Sequence, residues 1–385
     1  MLDVVVVGGG PAGLYSALLL AEEGFDVVVL EDHDTLGAPT HCTGIVSDEL
    51  SGLFKIPESL VLNRPTACLI HSPAGRVFPF ASNGEGIAVI DRGEFDRELG
   101  AAAQRAGVDI RTGFRVERLR PEPRSMQIEG SAGVLRARVC ILACGVGYGL
   151  QRQLGLGLPS LFLHSAQLEV DTTEAGPLVE VYLGRQVAPD GYGWVAPIVR
   201  GERARMKVGV VGRGDAGKYL QALLAAPGVR ERVASVPDAM IRRLLPVSPA
   251  ARTYGHRVLA VGDAAGLTKP TTGGGIFYSL LSGLLAAETL APALRRDEVR
   301  GDDLRAYQAR WKARLSAHLW ISSRVRRLFA RLTDQELETL LEGLASDDVQ
   351  RAIQATARFN WHGDLIRALL GQPAVKSTLF RAFLR

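Results

Sequence analysis

The chain has little of what marks a metal-binding, secreted or nucleic-acid-binding protein. Only four of its 385 residues are cysteine. Cys42, Cys68, Cys140 and Cys144 lack the spacing of a zinc site, so no metal is expected, and in a reducing compartment they remain thiols. A net charge of +4 is too small to draw the chain to a polyanion, so no nucleic-acid partner is expected. No basic leader with a cleavage site precedes the first strand-like run, which argues for a cytoplasmic protein without a signal peptide. Low-complexity tracts and clear internal repeats are absent, and the length suggests two or three domains. Long apolar runs are scarce too. The one exception, Gly273 to Leu294, carries Glu288 as its only charge. It is long enough to cross a bilayer, but it follows a strand–turn unit and is expected to be a buried core helix.

Glycine is what the chain has in plenty, 43 residues with clusters near 8–13, 145–149 and 273–275. The first cluster follows the β-branched run Asp3–Val7 and reads Gly8-x-Gly10-x-x-Gly13. A helical segment, Leu14–Ala21, and a second strand, Asp26–Leu30, come next and lead into Glu31. Gly8 suits a tight turn, Gly10 lets backbone approach a pyrophosphate, and Gly13 lets helix and strand pack closely. Pro11 and Ala12 open a helix whose N–H groups suit phosphates, and Glu31 suits a ribose diol. This unit binds a dinucleotide, with NAD and FAD both open at this point.

Four further stretches decide between them. "DRGEFDREL" (Asp91–Leu99) starts a helix with Arg92, and "VCILACGVG" (Val139–Gly147) is a buried strand entering a glycine turn. "PDGYGWVAP" spans Pro189–Pro197, and "VGDAAGLTKPTTGGGIF" (Val261–Phe277) is a second glycine-rich turn. Together these resemble the FAD-dependent oxidoreductases of the para-hydroxybenzoate hydroxylase type, and within them the geranylgeranyl reductase family. Pro189-x-x-Tyr192-x-Trp194-x-x-Pro197 and "HCTGIVS" (His41–Ser47) carry the narrower likeness. The resemblance implies that both glycine loops clasp one extended FAD. Gly262 and Asp263 would meet its ribityl chain, and Pro270, Gly273, Gly274, Gly275 and Ile276 its isoalloxazine edge. It also carries Arg92, Val116 and Gly145 into the cofactor set. The residue after Ala143 is usually Asp or Thr in that family and is Cys144 here. Cys140 and Cys144 are expected to be small core side chains. No second complete dinucleotide motif exists, so NAD(P)H would bind transiently or an external electron carrier would act.

The fold implied is α/β: a Rossmann-like FAD-binding domain with an inserted antiparallel β-sheet substrate domain and a C-terminal helical region. The expected boundaries are 1–160, with a small β excursion near 60–90, and 253–300 for the FAD-binding domain. Residues 161–252 would form the sheet and 301–385 the helices. Tyr192 and Trp194 lie two apart on an extended segment and face one side, as a pocket wall in the resemblance or as an aromatic pair in a sheet core. Ala196 stands where the family often has Phe, so a larger or reshaped cavity is expected. Cys42 either packs against the isoalloxazine or is an inert buried thiol, and His41 is a candidate proton relay.

The resemblance thus implies reduction of carbon–carbon double bonds in an isoprenoid or lipid-like substrate. The alternative is a monooxygenase or halogenase-like enzyme acting on a hydrophobic or aromatic substrate. Halogenases of this fold need two tryptophans in that segment and a lysine near the pocket. Here the first aromatic is Tyr192, and no lysine stands out. At the C-terminal end, Arg305–Arg331 holds eight Arg or Lys residues, no acid, and Trp311 and Trp320. A basic face with tryptophans suits peripheral contact with anionic lipid; a solvated helix face is the plainer reading. Oligomeric state is not legible.

Overall fold

Leu2–Val7 is a strand buried on both faces along Val4–Val7, as a parallel strand between helical layers requires. This strand, β1, is central to the first of two compact units in the computed structural model. All residues are described except 81–83, 174–175, 238, 374, 377 and 379–385.

The first unit comprises Met1–Thr40, Arg92–Phe162 and Pro246–Ser316. Its sheet runs β18 (Tyr254–Gly255), β19 (Val258–Ala260), β11 (Gly133–Leu142), β1, β2 (Val27–Leu30) and β8 (Asp109–Arg111). From β19 to β8 every pair is parallel. β10 (Met126–Gly130) and β9 (Val116–Pro121) extend β11 as an antiparallel meander. Helix α1 (Pro11–Glu22) joins β1 to β2, and α2 (Arg92–Arg105) precedes β8. A short α3 (Gly149–Gln153) follows β11. The long apolar run is α5 (Ile276–Arg295), a core helix as expected. Its most apolar window, with a mean hydropathy of 1.4, is 78% buried. It packs along α1 through Gly283, where a Cβ would lie 2.9 Å from the Ala12 carbonyl oxygen.

The second unit comprises His41–Asp91, Leu163–Leu245 and Ala317–Arg385. Its main sheet runs β16 (Val233–Ser235), β12 (Phe162–Thr172), β15 (Arg203–Gly212), β14 (Tyr192–Arg200), β13 (Leu178–Tyr182), β5 (Ala67–His71) and β6 (Val77–Phe80). β17 (Ile241–Pro246) pairs with β12, and a small sheet joins β3 (Ile45–Ser47), β7 (Ile87–Ile90) and β4 (Val61–Asn63). One face of the main sheet is covered by α4 (Ala216–Leu224), with Leu220 and Leu223 packed on Leu168, Val195, Val208 and Val210. Helix α6 (Arg305–Phe329) begins among first-unit residues and ends among second-unit ones. Helices α7 (Asp334–Leu344), α8 (Asp347–Thr356) and α9 (His362–Leu370) complete the described chain. The Thr333–Glu336 capping box fixes the start of α7.

Within residues 161–252 the pairs β12–β15, β12–β16, β13–β14 and β14–β15 are antiparallel, as expected, and β5 joins them parallel to β13. Only a tight hairpin obliges neighbours to run antiparallel, and β5 comes from about a hundred residues earlier in the sequence. The units divide elsewhere than expected. All of 41–91 clusters with the sheet, the returning segment starts at Pro246, and the C-terminal helices split at 316/317. Periodicity reports which face of a helix is apolar, and not which neighbour buries it. The helical reading of 379–385 lies outside the described residues.

Candidate functional site

Within the Gly8–Gly13 turn, Gly8 and Gly13 are needed by the fold and Gly10 is not. A Cβ on Gly13 would collide with the Gly8 carbonyl oxygen, and one on Gly8, at φ +110°, with that of Ala143. Gly10 is different: a Cβ there meets no protein atom within 4 Å. Gly10 also stands at the N-cap of α1 with no side-chain cap, followed by Pro11, so the first N–H groups of the helix are unspent by side chains. Glu31 reaches back under this turn, its Oε2 accepting from the Gly9 N–H at 2.6 Å. Its Oε1 accepts from the His33 N–H at 3.1 Å. The Glu31, Asp32 and His33 side chains converge at the end of β2, where the His33 ring lies against both carboxylates.

The second glycine loop meets the first inside this unit. A Cβ on Gly262 would lie 2.9 Å from the Ala12 Cβ, and one on Gly275 3.1 Å from Asp263 Oδ1. The loop closes on itself through Lys269 N–H to Gly274 O at 3.0 Å and Gly273 N–H to Lys269 O at 2.7 Å. Gly275 caps α5, again without a side-chain cap. Asp263 is held from behind, its backbone carbonyl accepting from Tyr148 Oη at 2.9 Å. Its carboxylate accepts no hydrogen bond among the described residues. Burial pushes this carboxyl up to about 6, with Arg92 pulling it back. Arg92 opens α2 and is paired with the buried Asp96. Gly145 turns at φ +56° with open space around it, and Val116 begins β9. An uncapped helix start, an unfilled place at Gly10 and an unsatisfied carboxylate fit the pyrophosphate and polyol parts of FAD.

His41, Cys42, Tyr192 and Trp194 belong to the second unit. The "YGW" spacing sorts side chains between two faces of β14. Gly193 lies toward α4, where a Cβ would come within 2.8 Å of Leu223 Cδ2. Tyr192 and Trp194 lie on the opposite face, ring centroids 5.8 Å apart. Gly209, directly across on β15, clears the space for the indole, since a Cβ there would collide with it. The Trp194 N–H is buried without a partner among the described residues. Burial pushes the Tyr192 phenol up to about 12, against the opposing pull of Arg326.

The same face carries residues that sequence reasoning missed. Across β12, β15 and β14 the register sets Ser165, Val211 and Tyr192 in one row and Gln167, Gly209 and Trp194 in the next. Glu169, Lys207 and Ala196 form a third. The His41–Gly44 segment is fastened to these rows. His41 Nε2 is 3.1 Å from Ser165 Oγ, and Thr43 Oγ1 donates to Gln167 Oε1 at 2.9 Å. Lys207 Nζ donates to the Thr43 carbonyl at 2.8 Å. Ala196 is fully buried beside this lysine. The signal was present in "MKVGVVG", where Lys207 is the last charge before an apolar run. Burial, then Arg243, lowers the His41 imidazole to about 4, so the ring is neutral near pH 7. Cys42 Sγ accepts from the Gly44 N–H at 3.4 Å. All four cysteines are free thiols. Burial raises Cys140 strongly and Cys144 to about 11.

The FAD dependent oxidoreductase family profile matches residues 3–69. Digeranylgeranylglycerophospholipid reductase 2 of Methanopyrus kandleri is 34% identical over 91% of this chain and 92% of its own length. The chain belongs to this reductase family. The digeranylgeranylglycerophospholipid reductase of Methanocaldococcus jannaschii is 31% identical over 89% of this chain and 90% of its own. In fold, the chain matches a geranylgeranyl bacteriochlorophyll reductase-like protein from Thermoplasma acidophilum, with a TM-score of 0.86, 23% identity and 99% coverage of both chains. The protein is therefore an FAD-dependent oxidoreductase, a reductase by family.

Gly10→Val is expected to fold with an unchanged melting temperature and to purify without flavin, whereas Gly13→Val, which strikes backbone, is expected to fold poorly. Flavin absorbance and thermal melting on both variants check the contrast. The raised Asp263 carboxyl predicts two pH effects of defined sign. The folded state holds this proton from the ordinary value near 3.8 up to about 6. The apoprotein therefore loses stability as pH rises through that window. FAD hydroxyls donating to the ionised carboxylate would bind more tightly as pH rises through about 6. Asp263→Asn is expected to flatten both curves, read by denaturant unfolding and by quenching of flavin fluorescence.

Proposed function

We propose that the protein reduces carbon–carbon double bonds in the isoprenoid chains of a geranylgeranyl-type glycerophospholipid. The single observation behind this reading is full-length kinship at 34% identity to a reductase named for that lipid. The aromatic pair Tyr192 and Trp194 gives the kinship a physical counterpart. Aromatic rings backed by a sheet bury prenyl surface at roughly 25 cal/mol per Å². Reduced FAD, when bound, supplies the hydride equivalent for the alkene. The chain's own part is to bind, orient and keep dry.

In this reading Gly8, Gly10, Pro11, Ala12 and Gly13 lie along the pyrophosphate and Glu31 meets the adenosine ribose. Arg92, Gly262 and Asp263 serve the ribityl side. Pro270, Gly273, Gly274, Gly275 and Ile276 present the α5 N-terminus to the flavin ring, where helix-dipole charge favours an electron-rich edge. Val116 and Gly145 complete the set. Cys42, Tyr192 and Trp194 contact the substrate side. Electrons arrive from transiently bound NAD(P)H or from an external carrier. The decisive experiment is anaerobic. Chemically reduced holoenzyme mixed with an unsaturated geranylgeranyl phospholipid is expected to reoxidise and yield the saturated chain by mass. Reoxidation only by oxygen, with a hydroxylated product, would overturn the reading.

The same reading places the protein in the cytoplasm, touching membranes from which it draws lipid. Trp320 on α6 is 59% exposed, with the Arg324 guanidinium 4.4 Å from its ring centroid. Arg324 and Arg327 are exposed and pair with no acid among the described residues. Trp320→Ser with Arg324→Glu and Arg327→Glu is expected to weaken sedimentation with anionic vesicles by about 1 kcal/mol or more per cation removed. Turnover of detergent-dispersed lipid should stay unchanged. Equal sedimentation of variant and wild type would remove α6 from the lipid contact.

A further inference from the structure

Lys207 has an unusual position for a lysine. Only 2% of it is exposed, and an ammonium taken from water is costly unless its charge and all three N–H groups are answered. Here they are answered thinly. Nζ donates to the Thr43 carbonyl at 2.8 Å and marginally to the Ile90 carbonyl at 3.5 Å. No carboxylate lies in ion-pair range of it among the described residues. The nearby acids are already taken. Glu169, its cross-strand neighbour, is bound by Arg200 at 2.7 Å and by Arg205 at 2.5 Å. Asp91 is bound by Arg200, and Asp171 by Arg205 at 2.8 Å. A methionine would fill the same volume without the cost of desolvation. What only the ammonium does is hold the Thr43 carbonyl, and Thr43 directly follows Cys42.

The sheet grips this segment at three successive rows. Ser165 meets His41, Gln167 meets the Thr43 hydroxyl, and Lys207 meets the Thr43 carbonyl. Cys42 lies between the gripped residues and makes no hydrogen bond to the sheet among the described residues; its Sγ accepts from the Gly44 N–H, within its own turn, and lies in electrostatic range of the Lys207 ammonium. Its position is therefore set by its neighbours. Gly44 continues the clamp, its carbonyl accepting from the Ile90 N–H at 2.9 Å. The small Ala196 directly across from Lys207 leaves the lysine stem room to lie along the sheet toward Thr43.

We propose that Lys207 is a positioning residue that holds the His41–Gly44 segment on the Tyr192–Trp194 face and thereby sets the position of Cys42. The consequence for turnover rests on the reading of that face as the substrate side. The consequence for the thiol does not. The test uses FAD-loaded full-length protein with Lys207→Met and Lys207→Arg, measuring iodoacetamide alkylation at each cysteine by peptide mass. In Lys207→Met the rate at Cys42 is expected to rise about ten-fold, with Cys68 unchanged and the melting temperature held. Lys207→Arg, which keeps a cationic donor, is expected to restore most of the protection. Single-turnover reoxidation by lipid should fall with the Met variant and recover with Arg, while KM changes less than kcat. Should Lys207→Met fail to fold, Lys207→Gln, one atom shorter, is read in the same way. A wild-type alkylation rate at Cys42 in a folded Met or Gln variant overturns the proposal. So does an equal rise at Cys68, which would mean general loosening. Absence of lipid turnover in every protein, with the Cys42 response intact, would sink the substrate assignment and leave the tether standing.

Discussion

Backbone must touch backbone at the first glycine turn, and the rest of the cofactor side follows from that contact. Gly13 can sit against the Gly8 carbonyl, and Gly8 against that of Ala143, only because neither carries a Cβ. The approach seats the start of α1 between β1 and β11, the two strands at the centre of the parallel sheet. With α1 seated, Gly9 comes within reach of Glu31, and Ala12 becomes the surface against which Gly262 packs. The second glycine loop thus owes its place to the first. Neither α1 nor α5 opens on a side-chain cap. Such starts make sense where an anion supplies the missing acceptors.

The second unit solves a different problem. A sheet has two faces to cover, and here the two covers differ in kind. One face is closed by α4 in ordinary side-chain packing, made intimate at Gly193. The other carries two aromatic rings and a row of polar residues that fasten the His41–Gly44 segment. Alternation of glycine and aromatic along "PDGYGW" serves both covers at once: small toward the helix, large toward the opposite face. Ala196, where a cavity was expected, is fully buried directly across from the buried Lys207.

What the sequence determined by itself was whatever depends on local spacing. The turn at Gly8–Gly13, the acid at Glu31, the helix start at Arg92 and the paired facing of Tyr192 and Trp194 follow from periods of two and 3.6 residues and from glycine's missing Cβ. The apolar run at α5 was legible as core for the same reason, since a strand and turn precede it. Tertiary structure decided whatever depends on partners distant in the chain. The parallel docking of β5 on β13, the transfer of residues 41–91 to the sheet unit and the division of the C-terminal helices leave no local trace. Lys207 is the clearest case. In the sequence it is the third basic residue of a strand, after Arg203 and Arg205, and only the folded chain shows that the acids around it are bound by Arg200 and Arg205. An electrostatic role belongs to a set of neighbours, and those neighbours are chosen by strand register across more than a hundred residues rather than by the pattern around any one of them.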